Sequence, residues 1–258
     1  MWDFEQAVWL QPDKPDGYHG RAIAHQLKRD WDAALRDFDR VLELDPNDPF
    51  VLHNRGNTHA QKGDYDAALR DYDRTVELHP NDSRTRVARG FALVDKGDLD
   101  AAFRDFDRAI EMEPGNSRLY GFRAAAHEKK GDVDATLRDL DKSVELDPTN
   151  ANAYSNRGFT HAEKGDFEAA LRDCEKSLEL DPTNGHTYTH RGYAHAGKGD
   201  KEAALRDYEK AIELNPNLGE TYYYRGRIFF DAGNTDAARR DYDKASELDP
   251  KLNKPWYE

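Results

Sequence analysis

The sequence predicts an all-α protein of the α-solenoid class, built from tandem helix-turn-helix units. A proline recurs at a fixed interval of 34 residues along nearly the whole chain. A strict period of this length is typical of one small structural unit stacked on copies of itself, and not of a domain with a single central core. The recurrent prolines are Pro12, Pro46, Pro80, Pro114, Pro148, Pro182, Pro216 and Pro250.

The first half of one period, residues 49–82, predicts a helix that ends in a tight turn. Asp48 offers a side-chain acceptor for the first backbone N–H groups, and the missing N–H of Pro49 costs nothing in the first turn. We expect this helix to end near Gln61, because Gly63 supplies the backbone freedom that a sharp break needs.

The second half of the period predicts a second helix. Asp64 is its expected N-cap, and Pro80 prevents its continuation. Apolar residues spaced three or four apart give this helix one buried face. These residues are Leu69, Tyr72, Val76 and Leu78.

Three positions of the unit carry a resemblance, once the recurrent proline is numbered 32. A small residue stands at position 8, an alanine at position 20 and an aromatic residue at position 24 in most units. Examples are Gly56, Gly90, Gly192 and Gly226; Ala34, Ala68, Ala102 and Ala204; and Phe38, Tyr72, Phe106, Tyr208 and Tyr242. Thr136, Leu140 and Cys174 depart from the pattern. The unit resembles the tetratricopeptide repeat.

The resemblance implies antiparallel helix pairs that wind into a right-handed superhelix, with the first helices lining its concave face. It covers seven tandem repeats in residues 15–252. Residues 1–14 are expected to form an N-terminal half-repeat, a capping or interface helix, because they fall in register with a second helix. Residues 253–258 are expected to be a short C-terminal tail.

Composition excludes several classes of partner. The net charge of −13 argues against nucleic acid and anionic membrane, whose phosphates attract clustered Lys and Arg. The single cysteine excludes an internal disulfide framework, and no apolar run reaches membrane-spanning length. The first ten residues lack the basic and apolar stretches of a signal peptide. We therefore expect a cytoplasmic protein without a cofactor.

Two charged residues recur in every unit: arginine at position 7 and aspartate at position 23, as in Arg55 with Asp71. Buried charges require partners, so the pattern predicts an ion pair between the two helices of each unit. The alternative is a ladder of arginines for an acidic ligand. Histidine at position 11, as in His59, is assigned to packing.

The resemblance implies that ligands contact positions 2, 5, 6 and 9 of the first helices. These positions carry few charges and many aromatic rings, which favours protein binding. For Phe91, Phe159 and Tyr193, filling gaps between neighbouring helices is an equal alternative. The predicted peptide-binding residues are Phe50, His53, Asn54, Asn57, Arg84, Phe91, Arg118, Phe122, Asn152, Asn156, Phe159, His190, Tyr193, Tyr223, Tyr224 and Arg227.

Other chemistry is not favoured. The Lys, Asn and Arg clamp with which the family grips chaperone tails lacks its basic positions here. His186 and His190 have metal-compatible spacing, but no convincing third ligand accompanies them. Cys174 replaces a core aromatic and is expected to be buried and inert. The sequence predicts a non-catalytic scaffold that binds a protein or peptide.

The N-terminal helix offers a second function. Trp2 and Trp9 occupy outer positions where the other second helices carry arginine and glutamate, and their spacing of seven puts them on one face. Exposed tryptophans on one face favour an interface. The alternative function is therefore self-assembly, as a homodimer through Trp2 and Trp9.

Overall fold

The structure, a computed structural model, describes residues 2–252, with Trp2 and Asp3 described by their backbone alone. The described residues form fifteen α-helices and no β-strand. They are α1 (Trp2–Leu10), α2 (Pro15–Leu27), α3 (Trp31–Leu44), α4 (Pro49–Gln61), α5 (Tyr65–Leu78), α6 (Ser83–Lys96), α7 (Leu99–Met112), α8 (Ser117–Lys130), α9 (Val133–Leu146), α10 (Ala151–Glu163), α11 (Phe167–Leu180), α12 (Gly185–Gly197), α13 (Lys201–Leu214), α14 (Gly219–Asp231) and α15 (Thr235–Leu248). The predicted all-α class is confirmed, whereas the tail 253–258 lies outside the described residues.

The helices group into two compact units, Met1–Lys130 and Gly131–Glu258, here the N-terminal and the C-terminal unit. In each unit a helix packs against the next one along the chain, and even-numbered helices also contact one another. The even-numbered helices are the predicted first helices. The division into a half-repeat, seven repeats and a tail stays a prediction.

The turn chemistry of the repeat is as expected. The Asp64 carboxylate accepts a hydrogen bond from the Ala67 N–H, 3.1 Å away, and so caps α5. Gly63 has φ +82°, a left-handed conformation that glycine adopts without strain. Five further glycines of this register also have positive φ. In the turn between α2 and α3, however, Arg29 takes this conformation with φ 58°.

The small residue at position 8 and the aromatic ring at position 24 are explained by one contact. A Cβ atom built at Gly56 would lie 2.7 Å from the Tyr72 ring, and one built at Gly192 would lie 2.6 Å from the Tyr208 ring. Both rings are almost fully buried. Glycine therefore lets the paired helices approach closely enough to bury the ring.

Six of the seven predicted arginine–aspartate pairs are present in the structure. Arg55 donates from Nε and Nη2 to the two carboxylate oxygens of Asp71, at 2.8 and 2.6 Å. Asp71 is buried, and its carboxylate raises the pKa of Arg55 above the ordinary value. The other five are Arg21–Asp37, Arg89–Asp105, Arg157–Asp173, Arg191–Asp207 and Arg225–Asp241. The equivalent pair of Arg123 and Asp139 stays a prediction.

These pairs occupy the arginines and so favour the structural interpretation over an arginine ladder for a ligand. Three of these six arginines, Arg55, Arg89 and Arg157, also reach back to an aspartate of the preceding second helix. Arg55 Nη1, for example, donates to Asp39 at 2.7 Å. The same guanidinium thus joins the helices of its own pair and ties that pair to its neighbour.

Candidate functional site

In the N-terminal unit, the predicted ligand positions of α4 and α6 border a pocket of about 540 Å³. We call the surface formed by positions 2, 5, 6 and 9 of the even-numbered helices the first-helix face. His53, Asn57, Arg84 and Phe91 of this face line the pocket, together with Tyr65 and other residues that the prediction did not include. The structure therefore brings four predicted residues together around one concave space.

A second pocket, of about 430 Å³, lies beside Phe50. Phe50 is 58% exposed, and its ring makes an edge-on contact with His79, with ring centroids 6.1 Å apart. Arg84 lines both pockets, and its guanidinium lies 3.2 Å from the Asp82 carboxylate. Phe50 and Arg84 are thus the accessible apolar and charged groups of this part of the face.

The asparagines of α4 are already used within the protein. The Tyr72 hydroxyl donates to Asn57 Oδ1 at 2.7 Å, which fixes this amide at the pocket wall. Asn54 Nδ2 lies 3.4 Å from His19 Nε2. These contacts hold the amides in place and leave Asn57 Nδ2 as a donor group beside the pocket.

His53 also contributes to packing. Its Nδ1 atom lies 2.8 Å from the hydroxyl of Thr85 on the next first helix, and burial lowers its pKa below the ordinary value. Equivalent contacts in the C-terminal unit join Ser155 to Thr187 at 3.0 Å and Thr189 to Thr221 at 2.6 Å. This line of hydroxyl contacts between neighbouring first helices was missed, although polar residues recurring at positions 3 and 5 are a visible signal.

The other aromatic residues of the N-terminal unit fill the space between helices. Phe91 lies 5.4 Å from the Phe106 ring and 5.1 Å from the Phe122 ring, measured between centroids. The exposed Arg118 guanidinium lies 5.7 Å from the Phe122 centroid. Phe91 therefore does both things that the sequence left open, since it packs between helices and also lines the larger pocket.

In the C-terminal unit, the predicted aromatic residues form a continuous row across α10, α12 and α14. Centroid distances are 5.4 Å from Phe159 to Tyr193, 4.9 Å from Tyr193 to Tyr224, and 5.7 Å from Tyr224 to Tyr223. Tyr223 also packs on Tyr242 of α15 at 5.7 Å. Tyr223 and Tyr224 are half-buried, so they serve packing as well as presenting ring edges on the face.

His190, which the sequence placed among the peptide-binding residues, is buried instead of accessible to a ligand. It is 9% exposed, and its Nδ1 atom lies 2.9 Å from the Ser155 hydroxyl and 3.1 Å from the Ser155 carbonyl oxygen. Burial lowers its pKa to about 4, so the ring is neutral at physiological pH. It lies between α10 and α12.

The remaining predicted residues of the C-terminal unit differ in how free they are. Asn152, Asn156 and Arg227 are all exposed, and Asn152 Oδ1 accepts a hydrogen bond from Asn184 Nδ2 at 2.9 Å. Asn156 and Arg227 are thus the polar side chains that a ligand on this part of the face would reach first.

The N-terminal helix carries exposed apolar residues. Trp9 is 81% exposed and Leu10 is 66% exposed. The other predicted interface residue, Trp2, has its side chain outside the described part of the chain. Of the two predicted interface tryptophans, the structure therefore describes the side chain of Trp9 alone.

Among residues 2–252, no group of three or more His, Cys, Asp or Glu side chains is arranged to hold a metal ion. Cys174 is buried, as predicted, and burial raises its pKa to about 12, which keeps the thiol protonated. None of the described helices has the length and apolar content needed to cross a membrane.

Four models of the tetratricopeptide repeat match successive parts of the sequence. The matched residues are 19–83, 56–126, 151–184 with 187–218, and 219–252. Together they cover most of the chain. The chain belongs to the tetratricopeptide repeat (TPR) family. No curated protein matches this TPR chain.

Solved structures show the same fold at low sequence identity. A tetratricopeptide repeat protein from Parabacteroides merdae is 17% identical with a TM-score of 0.80, covering 92% of this chain and 96% of its own. YrrB, described as a TPR protein with an unusual peptide-binding site, is 23% identical with a TM-score of 0.53, covering 73% and 97%. MamA is 23% identical with a TM-score of 0.54, covering 67% and 94%.

Proposed function

We propose that this TPR protein is a non-catalytic interaction scaffold whose first-helix face binds an extended peptide or a partner helix. The observation that carries the proposal is the pocket of about 540 Å³ lined by His53, Asn57, Arg84 and Phe91. It combines apolar walls with a fixed amide and an accessible guanidinium, which are the groups that orient a peptide. The peptide-binding site named for YrrB, which shares the fold, is consistent with this function.

Binding of a flexible peptide is favoured by the fixed packing of the helices. The arginine–aspartate pairs and the hydroxyl contacts hold neighbouring helices in place before any ligand arrives. Such a preformed face loses little conformational freedom on binding, so the ordering cost falls mainly on the partner segment. Aromatic edges select apolar side chains of that segment, while the Arg84 guanidinium and the Asn57 amide select polar groups. The absence of a nucleic-acid partner and the cytoplasmic location stay predictions.

The test uses peptides selected from a random 12-residue library on the full chain. Dissociation constants are then measured for two variants of the face, Phe50→Ala with Arg84→Ala in the N-terminal unit and Asn156→Ala with Arg227→Ala in the C-terminal unit. Removing an anchor costs more than about 1 kcal/mol, so we expect each selected peptide to weaken at least about fivefold on one of them.

Matched controls carry the same loss of positive charge on the second helices. They are Arg70→Ala for the N-terminal unit and Arg206→Ala for the C-terminal unit, both at exposed positions. Peptides that bind all four variants equally well would rule out the first-helix face as the binding site.

Self-assembly through the N-terminal helix is the second proposal, and the exposure of Trp9 and Leu10 favours it. Light scattering across a dilution series should show a dimer that Trp9→Glu with Leu10→Gln abolishes. Leu27→Gln is the control, because Leu27 is 83% exposed on a different helix. An unmodified chain that stays monomeric at tens of micromolar would contradict self-assembly.

A further inference from the structure

The larger pocket of the N-terminal unit has one charged side chain at each end. Arg84 is the second residue of α6 and Asp95 is its next-to-last residue, and both line the pocket. They stand 11 residues apart in the chain. This separation is about three helical turns and about 16 Å along the helix axis, so the two residues share one face of α6. The pocket therefore extends along α6 from a positive end to a negative end.

The walls between these charges are mainly apolar. Val87, Ala88, Phe91 and Ala92 of α6 line the pocket, and Ala60 of α4 lines it as well. Val87 and Ala88 occupy positions 5 and 6, where no other unit of the sequence has two aliphatic residues. An apolar middle with a charge at either end suits an extended segment whose central side chains are apolar.

Both charges remain available to a ligand. Arg84 and Asp95 are exposed, and the Arg84 Nε atom lies 3.2 Å from the Asp82 carboxylate. Among the described residues, neither Nη atom of Arg84 has an acceptor, and no Lys, Arg or His nitrogen lies within 4.0 Å of the Asp95 carboxylate. The charge of Asp95 raises the pKa of the Tyr65 hydroxyl, a neutral group that also lines the pocket.

The two charges stand at the ends of α6 that disfavour them. A helix carries partial positive charge at its N-terminal end and partial negative charge at its C-terminal end. Arg84 lies in the first turn of α6 and Asp95 in its last turn, so each opposes the helix dipole. The next helix, α7, instead has Asp100 in its first turn. Helix stability therefore does not explain the placement of Arg84 and Asp95, which favours a role in binding.

We propose that the larger pocket binds an extended segment of the partner that carries an acidic side chain at the Arg84 end, a basic side chain at the Asp95 end and apolar side chains between them. An extended chain advances about 3.3 Å per residue, so the two charged residues of the segment are about four to six residues apart. Charge complementarity at both ends gives specificity, because a segment with like charges there is repelled. This inference rests on the proposed peptide-binding function and names the chemistry of the partner.

The experiment repeats the selection from the random 12-residue library on the full chain, with the library held between fixed linkers so that no free terminal charge takes part. Arg84→Glu makes both ends of the pocket acidic, and Asp95→Lys makes both ends basic. Arg108→Glu and Glu111→Lys are the matched controls. They make the same changes of charge at exposed positions of α7, where Arg108 and Glu111 pair with each other at 2.8 Å. Thermal unfolding checks that every form is folded.

We expect peptides selected on the unmodified chain to carry one acidic and one basic residue on either side of an apolar core. Selection on Arg84→Glu should replace the acidic residue by a basic one, and selection on Asp95→Lys should replace the basic residue by an acidic one. Both controls should return the original pattern. A peptide selected on the unmodified chain should bind either pocket variant about three- to tenfold more weakly at low salt, and the loss should shrink as salt is raised.

Three results would overturn the inference. Peptides that depend on the first-helix face but lack the two charges would leave peptide binding intact and remove only the charge pattern. Equal changes on the pocket variants and on the controls would assign the pattern to overall charge. Peptides weakened by Asn156→Ala with Arg227→Ala alone would place binding in the C-terminal unit. A selection that yields no peptide dependent on the first-helix face contradicts the proposed function itself.

Discussion

Arg157 donates two hydrogen bonds of 2.7 Å to the carboxylate of Asp173 and a third, of 2.9 Å, to Asp141 of the preceding helix pair. The Asp173 residue is buried, and the arginine side chain is 19% exposed. A single guanidinium therefore pairs with a buried carboxylate on α11 and links it to α9 within the C-terminal unit.

Loss of this arginine should be strongly destabilising. Arg157→Met leaves Asp173 buried without its partner, which costs about 3–5 kcal/mol in comparable cases. Arg191→Met should cost less, because Arg191 bonds Asp207 but, among the described residues, no side chain of the preceding pair. Thermal or urea unfolding of both variants measures the order. Arg172→Met, at an exposed position, is the control, and equal midpoints for all three would show that the pairs are solvated.

Arg29 is a site where stability can be gained. It holds a left-handed backbone conformation, φ 58°, where six equivalent turns use glycine. For a residue with a Cβ atom this conformation costs about 1–2 kcal/mol, and part of that is returned as the greater freedom of glycine in the unfolded chain. Arg29→Gly should raise the unfolding midpoint, whereas Gly63→Arg should lower it. A lowered midpoint for Arg29→Gly would mean that its side chain contributes more than the strain costs.

The close approach at Gly192 predicts overpacking. Gly192→Ala places a methyl group 2.6 Å from the buried Tyr208 ring, and forced insertions of this kind cost about 1–3 kcal/mol. Gly185→Ala on the same helix meets its nearest atoms at 3.3 Å and should cost less stability than Gly192→Ala. Adding Tyr208→Leu should make the loss at Gly192 smaller than in the parent, and additive losses would contradict the contact.

His190 should make stability depend on pH. Because burial lowers its folded pKa to about 4, the unfolded chain binds the proton more readily between about pH 6.5 and 4, and stability falls as pH drops through that window. His190→Gln should lose less stability than the parent between pH 7 and 5, measured as urea midpoints. His186→Gln, at an exposed position four residues earlier, should follow the parent. A variant of His190 that shows the parent's pH dependence would mean that the ring is not held neutral.

The residues of the first-helix face show how far their exposure could be predicted from the sequence. Position numbers alone located Phe50 and Arg84 on the first-helix face, and both proved accessible. The same numbers placed His190 there, although it is buried against Ser155. Position within a helix fixes which way a Cβ atom points, but whether a long side chain stays at the surface depends on the size of the side chains on the adjacent helices.

The sequence by itself determined the repeat, the helix boundaries and the arginine–aspartate pairs, because turns, caps and buried charges are local requirements repeated at a fixed spacing. Tertiary structure alone decided which side chains meet between successive helix pairs. Ser155 and His190 are 35 residues apart in the chain, and only the packing of α10 on α12 sets the Ser155 hydroxyl 2.9 Å from His190 Nδ1. Such a juxtaposition depends on the angle between neighbouring helices, which no single repeat encodes.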